Sequence, residues 1–233
     1  MEKRRIEYSI IAPFFNEEKS VKPLYDLIKK AMDSLNVFYE LIFVNDGSTD
    51  ETANILQKIT KEDTNLIVID LKPRGGQTSA LKAAFKKARG NVIISMDGDM
   101  QNDPGDIPKL ISELKKGYDF VCGWRYLRKD PISKKIASKF GNLVQENVFK
   151  DHFHDISCTL RAYTKEAIRE LPLKRKGAHR FIPYLLMMKG KRGSEVKVNH
   201  LPRRYGRTKY GFSRSFKVAY DFLTLICNRK SWL

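Results

Sequence analysis

Two rhythms of apolar and polar positions alternate along the first half of the chain. Continuous apolar runs at residues 8–13, 39–44, 66–71 and 119–123, and one from Val92 leading into Asp97, read as buried strands. Between them lie stripes of helical period: Val21, Leu24, Ile28, Met32 and Leu35; then Ala53, Leu56 and Ile59; then Leu81, Ala84, Phe85 and Ala88; then Ile107, Leu110, Ile111 and Leu114. This strand–helix alternation over 8–123 predicts an α/β fold with a mostly parallel sheet covered by helices on both faces.

Beyond Trp124 the alternation stops. Residues 134–149 read as an amphipathic helix with Ile136, Phe140, Leu143 and Val144 on one side. A strand is expected over 154–163, a short helix over 165–171, a strongly apolar stretch over 179–189 and a last strand over 195–199. A basic loop, Arg203-Arg204-Tyr205-Gly206-Arg207-Thr208-Lys209-Tyr210-Gly211, precedes a closing helix over 213–227. The pattern divides the chain into a main domain, 1–212, with halves at 1–123 and 124–212, and a C-terminal amphipathic helix, 213–233. No apolar run approaches the roughly 18–20 residues that a membrane span needs. The charged N-terminus runs straight into a strand and is not a signal peptide.

Composition changes this picture in one respect. Net charge is +17, and residues 172–214 hold thirteen Lys and Arg against one acid, Glu195. Such a face attracts phosphates, an anionic membrane or nucleic acid. Tyr205, Tyr210 and Phe212 interleave with the cations as they would on a nucleic-acid surface, which keeps a non-catalytic nucleic-acid-binding protein as a remote alternative. Cys122, Cys158 and Cys227 have neither metal-ligand spacing nor an even count, which fits a reducing cytoplasmic setting.

The candidate chemistry sits where strands should end. Asp97-Gly98-Asp99 follows the fourth strand, and ligands of open α/β sheets gather at the carboxyl edge. Two acids one residue apart suit a hard cation, Mg²⁺ or Mn²⁺, bridging to substrate phosphates. The ends of strands one and two add Pro13-Phe14-Phe15-Asn16-Glu17 and Asn45-Asp46-Gly47-Ser48. There is no Walker loop and no Gly-x-Gly-x-x-Gly opening the first helix, which argues against an ATPase and a dinucleotide dehydrogenase.

These motifs, in this order, resemble a family 2 glycosyltransferase of the GT-A fold, a Rossmann-like architecture. Within it the chain is most similar to the polyprenyl-phosphate sugar transferases of the dolichyl-phosphate mannose synthase group. The family's Pro-x-Tyr-Asn-Glu matches Pro13 to Glu17 with Phe15 for Tyr. Its Val-Asp-Asp-Gly-Ser matches Val44 to Ser48 with Asn45 for the first Asp. Asp-Ala-Asp-Leu-Gln matches Asp97 to Gln101, Gly-Ser-Arg matches Gly123 to Arg125, and Arg-x-x-Gly-x-Ser-Lys matches Arg203 to Lys209.

By that resemblance Pro13, Phe15, Glu17, Val44 and Asp46 line the nucleoside. Asp97, Asp99 and Gln101 serve a Mg²⁺ or Mn²⁺ ion, Gly98 approaches the nucleotide, and Arg125, Arg203 and Lys209 face phosphates. Asp99, Arg125 and Asp155 are the expected catalytic set. The implied reaction is metal-dependent, inverting transfer of a sugar from a nucleotide sugar to a dolichyl or undecaprenyl phosphate. Gln101 to Pro104 and His179 to Pro183 look closer to the UDP-sugar than the GDP-mannose branch. The alternative acceptor is a saccharide hydroxyl, with Asp155 as base. The implied partners are the donor, the lipid phosphate and an anionic membrane surface, without nucleic acid. The implied location is the cytoplasmic face of a membrane, held peripherally.

Overall fold

In the computed structural model the apolar runs become strands β1 (Tyr8–Phe14), β2 (Tyr39–Asn45), β3 (Leu66–Asp70), β4 (Val92–Ser95) and β5 (Phe120–Trp124), followed by β6 (Arg161–Thr164) and β7 (Gly193–Lys197). The helices are α1 (Glu18–Asp33), α2 (Thr52–Glu62), α3 (Gln77–Lys87), α4 (Ile107–Leu114), α5 (Lys165–Arg169), α6 (Ile182–Met188) and α7 (Ser213–Cys227). The structure describes residues 5–126, 153–169, 171–205, 213–228 and 231–232. The amphipathic helix expected over 134–149, and Lys209, lie outside these residues.

The strands form one sheet in the order β3-β2-β1-β4-β6-β5-β7. Period-two alternation sends side chains to two cores. Ile10, Ala12 and Phe14 of β1 and Leu41 and Phe43 of β2 pack with the apolar stripes of α1, α2 and α4. Ile11, Ile42 and Val44 pack on the opposite face with α3, α5 and α6. The mostly parallel sheet was legible in the pattern, but the direction and place of β6 were not: it runs antiparallel between β4 and β5. The strand expected over 154–163 begins only at Arg161, because Asp155, Ser157 and Thr159 are used in side-chain hydrogen bonds before it. The last strand begins two residues earlier than expected, at Gly193.

The register brings three strand ends to one edge. Tyr8 pairs with both Tyr39 and Val92, so β1, β2 and β4 start level. Phe14 then lies beside Asn45, while β4 ends at Ser95 opposite Ile11. The amide of Met96 still bonds to the Ile11 carbonyl at 3.0 Å, so the Asp97–Asp99 turn rises against the last residues of β1. Among the described residues no helix is long and apolar enough to cross a membrane. Leu225 of α7 is fully buried, and the Trp232 ring packs edge-on against Phe181 at 5.4 Å, so the C-terminal segment is anchored on the domain.

Candidate active site

The turn after β4 holds the two aspartates by its own backbone. Gly98 has no room for a side chain: a Cβ there would meet the Phe14 ring at 2.6 Å and the Pro13 carbonyl at 2.7 Å. Met100 takes a left-handed φ of 61°, and the Gln101 amide donates to Asp99 Oδ1 at 3.1 Å. The Asp97 amide donates to the buried Asn102 side chain at 3.0 Å, which also accepts from the Thr159 hydroxyl at 3.0 Å. Burial and the Asp99 charge push the Asp97 carboxyl up to about 6, against the opposing pull of Thr159, Arg125 and Arg161. Two anions held this close favour a cation between or beside them.

A second group of residues meets Asp97 from the α3 side. Asp46 Oδ1 accepts the amides of Gly75 and Gly76 at 2.8 and 2.9 Å, and Arg74 lies 3.6 Å from its other oxygen. Gly76 has a φ of 81°, which turns the chain into α3. The first helical residue, Gln77, then donates its side-chain amide to Asp97 Oδ1 at 2.7 Å. The electropositive amino end of α3 is thereby set beside the acid pair. Behind it, a small cavity lined by Gln77, Ser95, Asp97, Thr159, Arg161 and His179 reaches under the turn.

Arg203 arrives from the far end of the sequence. An antiparallel bridge joins Asn102 to His200, and the Leu201 amide donates to the Gln101 carbonyl at 3.0 Å. These bonds root the start of the basic loop on the aspartate turn. The Arg203 guanidinium then contacts Asp99 Oδ2 at 2.5 Å and Glu17 Oε1 at 3.4 Å. It faces acids here, where the sequence led us to expect phosphates.

Arg125 and Asp155 are clamped on each other. Nε and Nη2 of Arg125 donate to the two carboxylate oxygens at 2.6 and 2.9 Å, a bidentate pair, and Nη2 also donates to Ser157 at 2.7 Å. Burial alone would raise the Asp155 pKa, but the Arg125 hydrogen bonds and charge outweigh it and hold the carboxyl below its ordinary value. The Arg125 pair therefore favours the ionised form of Asp155. Arg125, in turn, presents its donors to Asp155 and Ser157.

The Val44 side chain is fully buried in the core, so it offers a nucleoside only backbone. The Arg74 guanidinium lies 3.4 Å from the Phe15 ring centroid. Asn45 replaces an acid and bridges Asp70 at 2.8 Å to the Ser48 amide at 3.1 Å, which fixes the turn carrying Asp46. Pro13, Glu17, Asp46, Gly98, Asp99 and Gln101 do gather at this edge with Asp97. Sequence reading missed Arg74, Gln77 and Arg161. Arg74-Gly75-Gly76-Gln77 carries no motif of its own, and the one available signal was two glycines opening a helix beside a charged residue.

Carboxylates gathered at the carboxyl edge of a largely parallel sheet, with no Walker-type phosphate loop in the sequence, mark that edge as the ligand-binding edge of an α/β protein. Residues 9–172 match the model of glycosyl transferase family 2, and the chain belongs to that family. It is 39% identical over 226 residues to a dodecaprenyl-phosphate galacturonate synthase of Rhizobium johnstonii, covering 95% of this chain and 67% of the relative. It is 36% identical over 219 residues to an undecaprenyl-phosphate 4-deoxy-4-formamido-L-arabinose transferase of Proteus mirabilis, covering 94% and 67%. In fold it is similar to glucosyl-3-phosphoglycerate synthase from Mycobacterium tuberculosis, solved with Mn²⁺ and UDP, at a TM-score of 0.70 and 18% identity over 96% of this chain and 79% of that one. A mannosyltransferase from Pyrobaculum calidifontis, solved with GDP-mannose and Mn²⁺, aligns at a TM-score of 0.63 and 19% identity over 87% and 59%.

Proposed function

We propose that this glycosyltransferase moves a sugar from a nucleotide sugar to a polyprenyl phosphate, with inversion at the anomeric carbon. An oxygen of the acceptor phosphate forms the new bond to the anomeric carbon as the bond to the nucleoside diphosphate breaks. The diphosphate leaves with the bonding electrons. An ionised phosphate has no proton to lose, so the step asks for no general base. The observation that carries this reading is the Arg125–Asp155 clamp, which occupies the acid that a hydroxyl acceptor would require. The likeness over most of the chain to two enzymes named for polyprenyl-phosphate products supports the same acceptor.

Among the described residues no three His, Cys, Asp or Glu side chains cluster for a metal. The Asp97–Asp99 pair nevertheless fits a divalent ion: it offers hard oxygen donors, its charges repel, and a cation, Arg203, already sits against it. We assign Asp97 and Asp99 as the residues that would hold Mg²⁺ or Mn²⁺, with Gln101 beside them. The ion would take up charge on the departing diphosphate. Gln77 orients the Asp97 carboxylate, Gly98 allows the turn to approach β1, and Arg203 adds a second positive group at the same edge. Glu17, Asp46, Phe15 and the backbone of Pro13 and Val44 are left to position the nucleoside. The protein works at the membrane surface, held there peripherally by its basic face.

The test is incubation with labelled UDP-glucose, UDP-N-acetylglucosamine, UDP-galacturonate or GDP-mannose, a polyprenyl phosphate and Mn²⁺, then solvent extraction. Label from one donor should pass to the organic phase. Label that stays aqueous with every donor, but joins an added saccharide, overturns the reading.

A further inference from the structure

Arg203 lies against Asp99, one of the two acids assigned above to a metal. Two of its guanidinium nitrogens, Nη2 and Nη1, link Asp99 Oδ2 and Glu17 Oε1, while the backbone just before it is fixed by the Asn102–His200 bridge and the bond from Leu201 to Gln101. The Arg203 side chain is about four-fifths covered, at 19% exposure, so its interaction with Asp99 is not that of a freely solvated surface pair. A divalent ion on Asp99 would compete for the same lone pairs and be repelled by the neighbouring guanidinium.

We propose that Arg203 is an internal stand-in cation that couples metal binding to nucleotide binding. With no nucleotide present, Arg203 neutralises Asp99 and holds the metal affinity down. When metal and a nucleoside diphosphate arrive together, the ion takes Asp99, and Arg203 exchanges its carboxylates for the diphosphate. The exchange keeps the charge at the edge balanced in both states. Metal and nucleotide must therefore each raise the other's affinity, by the same factor. The inference rests on the assignment of Asp97 and Asp99 as metal ligands, and goes beyond it by giving Arg203 a role in the empty enzyme.

The test titrates Mn²⁺ into the nucleotide-free full chain and reads free Mn²⁺ by electron paramagnetic resonance. Arg203→Ala and Arg203→Gln should bind Mn²⁺ about fivefold or more tightly than the native chain. Adding UDP or GDP should tighten Mn²⁺ on the native chain by a larger factor than on either variant. Arg192→Ala removes one positive charge from a residue bonded to Asp119 and Gly117, and should leave Mn²⁺ affinity unchanged. Equal or weaker Mn²⁺ binding by both Arg203 variants overturns the proposal, as does an equal gain in Arg192→Ala. If Mn²⁺ binds none of the proteins even with nucleotide, the metal assignment falls and the exchange with it. Metal that binds with nucleotide but ignores Arg203 sinks only the exchange.

Discussion

At Gly98 a single missing methyl decides whether the acid pair can sit where it does. Gly98→Ala would drive a carbon into the Phe14 ring and the Pro13 carbonyl, and only the ring has any freedom to yield. We expect a loss of about 1–3 kcal/mol in urea unfolding, as in other overpacked sites, and a disproportionate loss of turnover, because the turn shifts as it relaxes. Unchanged activity would mean that the turn does not carry the site. Asp155 makes a different kind of prediction. Removing one partner of a largely buried ion pair strands the other, so Asp155→Asn should cost about 3 kcal/mol at neutral pH. The folded carboxyl titrates below its unfolded value, so its contribution is full above about pH 4 and fades as pH falls through the folded pKa. The stability gap between native chain and variant should therefore narrow in acid, and a gap that widens would contradict the clamp.

Among the elements, α3 shows how a distant acid can order a site. Asp46, at the end of β2, gathers the Gly75 and Gly76 amides, and this turn delivers Gln77 to Asp97. Asp46→Ala should release the turn and open the Arg74–Gly75 bond to trypsin, while Gln77→Ala should raise KM or lower kcat without that cleavage. Equal protease resistance in Asp46→Ala would show that the turn holds itself. This relay was invisible in the sequence because hydrogen-bond partners across thirty residues leave no periodic trace. The first five strands were legible, since each is a continuous apolar run between helical stripes. The place of β6 was not, because strand order is set by packing of whole layers, and Arg161 to Thr164 looks alike in either direction. The acid pair was legible from its place after β4, whereas Arg203 was legible only as a cation near phosphate and not as a partner of Asp99.

Over the whole molecule, charge is the dominant feature. A net +17 with thirteen cations in residues 172–214 sets up a long-range attraction to anionic surfaces. Tyr220 and Leu223 of α7 are exposed, 67% and 58%, while Leu225 and Trp232 fasten the segment to the domain. This combination predicts salt-sensitive binding to liposomes containing anionic lipid, since exposed charges are screened over about 8 Å at physiological ionic strength. Equal sedimentation with neutral and anionic liposomes would count against a peripheral mode.

The central claim is the chemical bond that the enzyme makes. Its most direct test is mass and phosphorus NMR analysis of the lipid-soluble product formed from a short-chain polyprenyl phosphate. The account predicts a sugar-1-phosphate diester of the polyprenol, with anomeric configuration opposite to that of the donor. A sugar joined through any carbon-borne hydroxyl, or retention of the donor configuration, would contradict it.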